Sequence, residues 1–136
     1  LLWDTTSGEQ LGQVTGHNGT VEGIAFPAAG DRFATASGDG KVRICSTNSR
    51  VVIAELEGHR NFAKCVTYSP SGKFLASGGR DGEILLWSTK THEPLSRLEA
   101  HTNSVYSVDF APDELRLASA SFDRTIKVWG LAELLK

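Results

Sequence analysis

The sequence lacks the features that mark membrane, disulfide-rich and nucleic-acid-binding proteins. Its 136 residues include only two cysteines, Cys45 and Cys65, which are too few for a disulfide framework and show no metal-ligand spacing. No signal-peptide pattern opens the chain, and no apolar stretch approaches the roughly 18 residues of a membrane span. Charges of both signs are interspersed around a net charge of -2, so neither a nucleic acid nor a membrane surface is an expected partner. These absences favour an intracellular protein, most simply a cytoplasmic one, with the nucleus left open.

What the sequence does contain is a repeat with a period of 42 residues. Four ladders of residues keep that spacing: His17, His59 and His101; Thr35, Ser77 and Ser119; Asp39, Asp81 and Asp123; Trp3, Cys45, Trp87 and Trp129. A fixed period in this range indicates a repeat architecture, in which each unit is one supersecondary element.

Each unit has the pattern of four short strands. In the middle unit the apolar runs are Phe62–Tyr68, Lys73–Gly78, Glu83–Ser88 and Glu93–Glu99, and turn residues separate them. The third run is nearly continuous in its apolarity, which is typical of a strand covered on both faces. Four antiparallel strands per unit, with each sheet between its neighbours, predict the blades of an all-β propeller. The predicted blades are residues 16–57, 58–99 and 100–130 of one domain spanning 1–136.

The repeated dipeptides resemble those of the WD-repeat (WD40) family. Gly16-His17 and Gly58-His59 begin units whose ends are similar to Trp-Asp, as in Trp3-Asp4, Trp87-Ser88 and Trp129-Gly130. The resemblance covers essentially the whole chain. It implies propellers that act as rigid, non-catalytic scaffolds for protein complexes, with proteins or peptides as partners and no cofactor.

The resemblance also implies a hydrogen-bonded tetrad of His, Ser or Thr, Asp and Trp in each blade. The matching sets are His59, Ser77, Asp81 and Trp87, then His101, Ser119, Asp123 and Trp129, and an incomplete set of His17, Thr35 and Asp39. Cys45 replaces the tryptophan of the first set, so we expect the first blade to be the loosest. The same residue types occur in catalytic triads and metal sites, but their recurrence once per blade favours a structural role.

Function is expected where the repeats differ. Two variable positions open onto the narrower face near the channel in the family, and they hold Arg80 and Phe122 at one position and Glu22, Lys64 and Tyr106 at the other. Aromatic residues and arginine are enriched at binding hot spots, so these five are the candidate protein-binding residues. The simpler interpretation is an ordinary solvated rim. A different class of function would be a propeller enzyme or a nucleic-acid-binding module with a site in the central channel.

Three blades do not make a ring, because propellers usually have about four to eight. Residues 1–15 are expected to supply the end of a third strand and an outer strand, Glu9–Thr15, for a preceding or closing blade. The tail from Gly130 to Lys136 lacks β-branched residues and predicts a helix or a frayed end, which leaves the third blade without an outer strand. Methionine is absent, even at position 1. Either the chain is a piece of a longer propeller, or copies associate as a homo-oligomer that closes the ring.

Overall fold

The computed structural model describes residues 1–136 as a nearly all-β chain with one short helix. The elements are β1 (Leu2–Trp3), β2 (Gln10–Gly12), β3 (Val21–Ala25), β4 (Arg32–Ser37), β5 (Lys41–Ser46), β6 (Val52–Glu57), β7 (Ala63–Tyr68), β8 (Phe74–Gly79), β9 (Glu83–Ser88), β10 (Pro94–Glu99), β11 (Val105–Phe110), β12 (Arg116–Ser121), β13 (Ile126–Gly130) and α1 (Leu131–Leu134). In the middle unit the predicted strands differ from the observed ones by at most one residue at either end. The only helix has four residues, and none is long and apolar enough to cross a membrane.

Strands β3 to β13 form three successive antiparallel sheets, as the repeat predicts, and β1 and β2 form a separate two-stranded sheet. Strands β3–β6 make a four-stranded sheet (blade one), β7–β10 make a second (blade two), and β11–β13 make a three-stranded sheet (blade three). Strand β7 contacts β3 on one side and β11 on the other, so the first strands of the blades lie next to one another. The arrangement is a partial β-propeller.

Two apolar clusters lie between the blades. One joins blades one and two, with Ile44 and Leu56 packed against Leu75 and Trp87. The other joins blades two and three, with Leu86 packed in the same cluster as residues of β11, β12 and α1. Successive residues of β9 therefore face opposite clusters, which explains its continuous apolarity. Each large aliphatic or aromatic side chain buried in this way contributes about 1.5–3 kcal/mol.

The two outermost blade faces remain open to solvent. On blade one, Val21, Ile24 and Phe26 are exposed, and on blade three Ile126 and Val128 are exposed. Singly exposed apolar residues are ordinary, but these groups form continuous strips along strands whose equivalents in blade two are covered.

The chain ends differ partly from expectation. The predicted outer strand Glu9–Thr15 is only Gln10–Gly12, and it already pairs with Leu2–Trp3 of the same chain. Pairing with the third strand of another copy would therefore require β1 to leave that edge. At the other end the tail is helical, as predicted. Leu131 and Leu134 are buried in the second apolar cluster, and blade three has no outer strand.

Candidate functional site

In blades two and three the repeated polar residues join into closed networks. In blade two the Nε2 atom of His59 lies 2.8 Å from Ser77 Oγ, its Nδ1 atom lies 3.1 Å from Asp81 Oδ2, and Trp87 Nε1 donates to Ser77 Oγ at 2.9 Å. Since Nδ1 faces a carboxylate, it bears the ring proton, and the Ser77 hydroxyl donates to Nε2. Burial tends to raise the pKa of Asp81, but the interactions with His59 and the hydrogen bonds from two backbone amides together outweigh it and leave that pKa below its usual range.

Blade three repeats this geometry with one addition. The corresponding distances are 2.8 Å from His101 to Ser119, 2.8 Å from His101 to Asp123, and 3.2 Å from Trp129 to Ser119. The Thr125 hydroxyl donates to Asp123 at 2.6 Å, and this bond is the main reason that the pKa of Asp123 lies below its usual range. Blade three therefore keeps its network although its outer strand is missing.

Blade one is built differently. His17 Nε2 lies 2.8 Å from Thr35 Oγ1, but Asp39 has turned away from the imidazole to Arg43. The guanidinium of Arg43 is fully buried. Its Nη1 donates to Asp39 Oδ1 at 3.1 Å, its Nη2 lies 2.8 Å from Oδ2, and its Nε donates to Glu55 at 2.9 Å. Burial tends to raise the pKa of Asp39, but the bonds from Arg43 and from two backbone amides outweigh it and hold that pKa far below its usual range.

Arg43 is not among the residues predicted from the repeat, although the sequence contains a signal for it. Arg43 interrupts the apolar run of a strand that is covered on both faces, where blade two has Leu85. A charge at such a position needs a buried partner. Asp39 is that partner, and it is the residue that the first set was expected to place beside His17.

His59, Asp81 and Glu83 form the one cluster whose geometry suits a metal ion, with ligand atoms within 4.8 Å of one another. These atoms already have partners within the protein. His59 bonds Asp81 and Ser77, while Glu83 pairs with Arg97 and lies 3.5 Å from Arg60. The cluster is thus a hydrogen-bonded and ion-paired support for the turn between β8 and β9.

Four of the five candidate binding residues surround one cleft between blades two and three. The cleft measures about 290 Å³, and its walls include Lys64, Arg80, Tyr106 and Phe122. The rings of Tyr106 and Phe122 meet edge to face with centroids 6.1 Å apart, and more than half of each side chain is exposed. The walls also include three residues that the sequence comparison did not single out: Phe62, Asn103 and Ser104.

The fifth candidate, Glu22, lies beside the cleft. Its carboxylate accepts a hydrogen bond from Lys64 Nζ at 2.8 Å and another from the Thr20 hydroxyl at 2.6 Å. The bond from Lys64 is the main reason that the pKa of Glu22 is below its usual range. Glu22 therefore neutralises Lys64. Arg80, whose guanidinium lies 5.6 Å from the centre of the Phe62 ring, forms no ion pair.

Comparison with protein-family models agrees with this architecture. The WD40 model, described as WD domain, G-beta repeat, matches residues 8–46, 50–88 and 92–130. Each matched unit runs from the outer strand of one blade through the first three strands of the next. No curated protein matches the chain. With three consecutive matches that cover most of its length, the chain belongs to the WD40 repeat family.

Proposed function

We propose that this chain is a non-catalytic interaction scaffold that binds a peptide or protein segment in the cleft between blades two and three. WD40 repeats in general form scaffolds for protein interactions. The observation behind the specific proposal is that Lys64, Arg80, Tyr106 and Phe122, which differ between otherwise matched repeats, converge on one cleft. Nothing in the geometry or the comparisons favours an enzyme or a nucleic-acid-binding module.

The chemistry of the cleft suits a protein partner. Two half-exposed aromatic rings supply apolar contact area with few rotatable bonds, and such rings are typical anchors of interfaces. Arg80 presents a planar guanidinium without a carboxylate partner, so its donors are available to a carboxylate or a backbone carbonyl of a bound segment.

The absence of catalysis is proposed on the chemistry of the polar ladders. Each histidine of a closed network uses both ring nitrogens in structural hydrogen bonds. A general base needs a free nitrogen within reach of a substrate proton. The networks are also separate, one to a blade, whereas a catalytic centre needs unlike groups converging at one place.

The open outer faces suggest an assembly. We propose that further propeller blades or another copy of this chain cover the strips around Ile24 and Val128, because apolar surface is stabilised by removal from water. Such a scaffold would work inside the cell, where its two free cysteines stay reduced. Light scattering tests the self-association. A mass of two or more times 14.6 kDa supports closure between copies. A monomer that binds no hydrophobic dye would contradict the proposal that these apolar strips need a cover.

Selection of peptides from a displayed random library tests the cleft. We expect selected peptides to lose at least about tenfold in affinity for Phe122→Ser or Arg80→Ala, the loss that corresponds to removing one anchor. The matched control is Arg116→Ala. Arg116 is exposed at the first residue of β12, whereas Phe122 directly follows the last residue of that strand. Peptides that bind all three variants as tightly as the original chain would show that the cleft is not the docking site.

A further inference from the structure

A second cavity lies between blades one and two, at the other end of the strands. It measures about 280 Å³, and its walls include Pro27, Ala29 and Arg32 of blade one and Tyr68 and Gly72 of blade two. These residues belong to the turns that join the first and second strands, whereas Arg80 and Phe122 belong to turns between the second and third. Because the strands are antiparallel, these two sets of turns lie at opposite ends of the sheets. The cavity is therefore separate from the cleft.

The three turns between first and second strands share one geometry. Gly30, Gly72 and Glu114 occupy equivalent positions with φ of 68°, 72° and 58°. In each turn the backbone N–H of this residue donates to the carbonyl three residues earlier. A left-handed backbone costs a residue with a side chain roughly 1–2 kcal/mol, so Glu114 needs a compensating interaction.

Glu114 finds that interaction across the gap between blades two and three. Its carboxylate accepts the backbone N–H of Ser71 at 2.8 Å and the Ser71 hydroxyl at 2.7 Å. The gap is thus closed by an acidic side chain of the chain itself.

The gap between blades one and two has no such side chain, because Gly72 occupies the position of Glu114. A Cβ atom on Gly72 would lie 3.9 Å from Pro27 Cβ of blade one, an ordinary contact, so there is room for a side chain at the same backbone strain that Glu114 bears. Ala29 is the equivalent of Ser71, and its backbone N–H makes no hydrogen bond within the protein. The first gap therefore lacks the acceptor that fills the second.

A buried donor without a partner lies at the same cavity. Tyr68 is 7% exposed, and its hydroxyl has no hydrogen-bond partner. Its equivalents are Phe26 and Phe110, so packing at this position does not require a hydroxyl. Burial raises the pKa of Tyr68 to about 12, so the hydroxyl keeps its proton at neutral pH. A buried donor left unsatisfied costs about 1–3 kcal/mol, which a suitable ligand would recover.

The charged wall residues do not exclude an anion. Asp31 is neutralised by Arg32, whose Nη2 donates to the Asp31 carboxylate at 2.8 Å and whose Nε donates at 3.2 Å. The remaining guanidinium nitrogen of Arg32 is a free donor. The walls of the cavity thus carry three donors without an acceptor in the protein, of which the Tyr68 hydroxyl is buried and the donors of Arg32 and Ala29 are within reach of solvent.

We propose that this gap binds the carboxylate side chain of an acidic residue from a partner protein, in the position that Glu114 takes in the next gap. The proline and alanine side chains of the wall pack against the methylene groups of a glutamate. The chain then holds partner segments at both ends of its strands, and this site does not depend on the cleft proposed above.

Titration of the 136-residue chain with a peptide, followed by amide chemical shifts, tests the proposal. The probe is an acetylated and amidated hexapeptide with the sequence of residues 111–116, and its control has glutamine in place of the glutamate. We expect saturable shifts at Ala29 and Gly72, with the glutamate peptide at least about fivefold tighter, since a charge-assisted hydrogen bond is about twice as strong as a neutral one. Equal binding of the two peptides would overturn the proposal, and so would the same shifts with sodium acetate at the same concentrations.

Three variants sharpen this experiment. Gly72→Glu supplies the carboxylate from within the chain and should abolish binding of the peptide. Gly30→Glu is the control, because Gly30 has a similar positive φ but no atom of another blade within 4 Å, and it should leave binding intact. Tyr68→Phe, which copies the other two blades, should weaken binding severalfold without lowering the melting temperature, because it removes a buried donor that has no partner. Unchanged binding by Gly72→Glu would overturn the proposal, and none of these outcomes bears on Arg80 or Phe122.

Discussion

Blades one and two begin from the same repeat and stabilise the same turn in different ways. Blade two holds Asp81 with the imidazole of His59, whose other ring nitrogen bonds the Ser77 hydroxyl, and Trp87 donates to that same hydroxyl. Blade one has Cys45 instead of tryptophan and holds Asp39 with a buried arginine. The turn aspartate needs a donor, but the fold does not require that the donor be histidine.

The two arrangements differ in how much stability is lost when one of their residues is substituted. In the network of blade two, a hydrogen bond between neutral groups contributes a net of about 0.5–1.5 kcal/mol, and one to the charged Asp81 contributes about 1.5–3 kcal/mol. A buried ion pair adds little to stability as a pair, but removal of one partner leaves a charge in a poorly hydrated place and costs about 3–5 kcal/mol. We therefore expect blade one to be more sensitive to substitution at its turn, although its incomplete tetrad predicts that it is the loosest blade.

The largest effect is expected from Asp39→Ala. It leaves the fully buried guanidinium of Arg43 with Glu55 alone, whose side chain is 41% exposed. We expect a loss of about 3 kcal/mol in the free energy of unfolding, measured by urea denaturation. The missing tryptophan of the first network would by itself predict a smaller loss than at Asp81, whereas the buried ion pair between Asp39 and Arg43 predicts a larger one.

A double variant tests the cause of this loss. Asp39→Ala combined with Arg43→Leu, the residue that blade two has at this position, removes both charges and should recover a large part of the stability. If the double variant is less stable than Asp39→Ala alone, the buried charge is not the reason for the loss.

An intermediate effect is expected from Asp81→Ala. The change leaves the Nδ1–H of His59 without an acceptor in a buried position, at a cost of about 1–3 kcal/mol. The measurement is the same urea denaturation. Ser77→Ala is the matched variant, since it removes the partner of Trp87 and of the other imidazole nitrogen. Losses at Asp81 that exceed those at Asp39 would contradict the comparison of the two blades.

The smallest effect is expected from mild acid. The pKa values of Asp39 and Asp81 are lowered in the folded chain, so unfolding is accompanied by proton uptake near the usual aspartate pKa of about 4. Their stabilisation is complete above that pKa and is lost as the pH falls through the lower, folded values. We expect the urea midpoint to fall between about pH 5 and about pH 3, and less steeply for Asp39→Ala. A midpoint independent of pH over this interval would contradict the assignment.

Regular features of the fold could be predicted because every blade repeats them. The strands of the middle unit follow from the period and the turn residues, and two of the three tetrads join the residues that the ladders named. Lys64, Arg80, Tyr106 and Phe122 were found as differences between repeats. Their convergence on one cleft depends on how blades two and three pack.

Other features depend on single residues that break the repeat. Asp39 pairs with Arg43 because one charged residue stands in an apolar strand. The unpartnered hydroxyl of Tyr68 is present because tyrosine stands where the other two repeats have phenylalanine. The outer strand was predicted to be longer than the observed Gln10–Gly12, because Gly12 and Gly16, both at positive φ, interrupt extended pairing. Periodicity reports what the units share and carries no information about these exceptions.

The ion pair between Glu22 and Lys64 requires that the first two repeats differ at this position. The two residues occupy the same position in consecutive repeats, yet their charged groups are 2.8 Å apart. Two identical copies of the repeat would place like charges side by side at this point, which is destabilising. The first two units are therefore not interchangeable: exchanging them would put Glu22 beside the aromatic pair and its carboxylate in the cleft where Lys64 now lies.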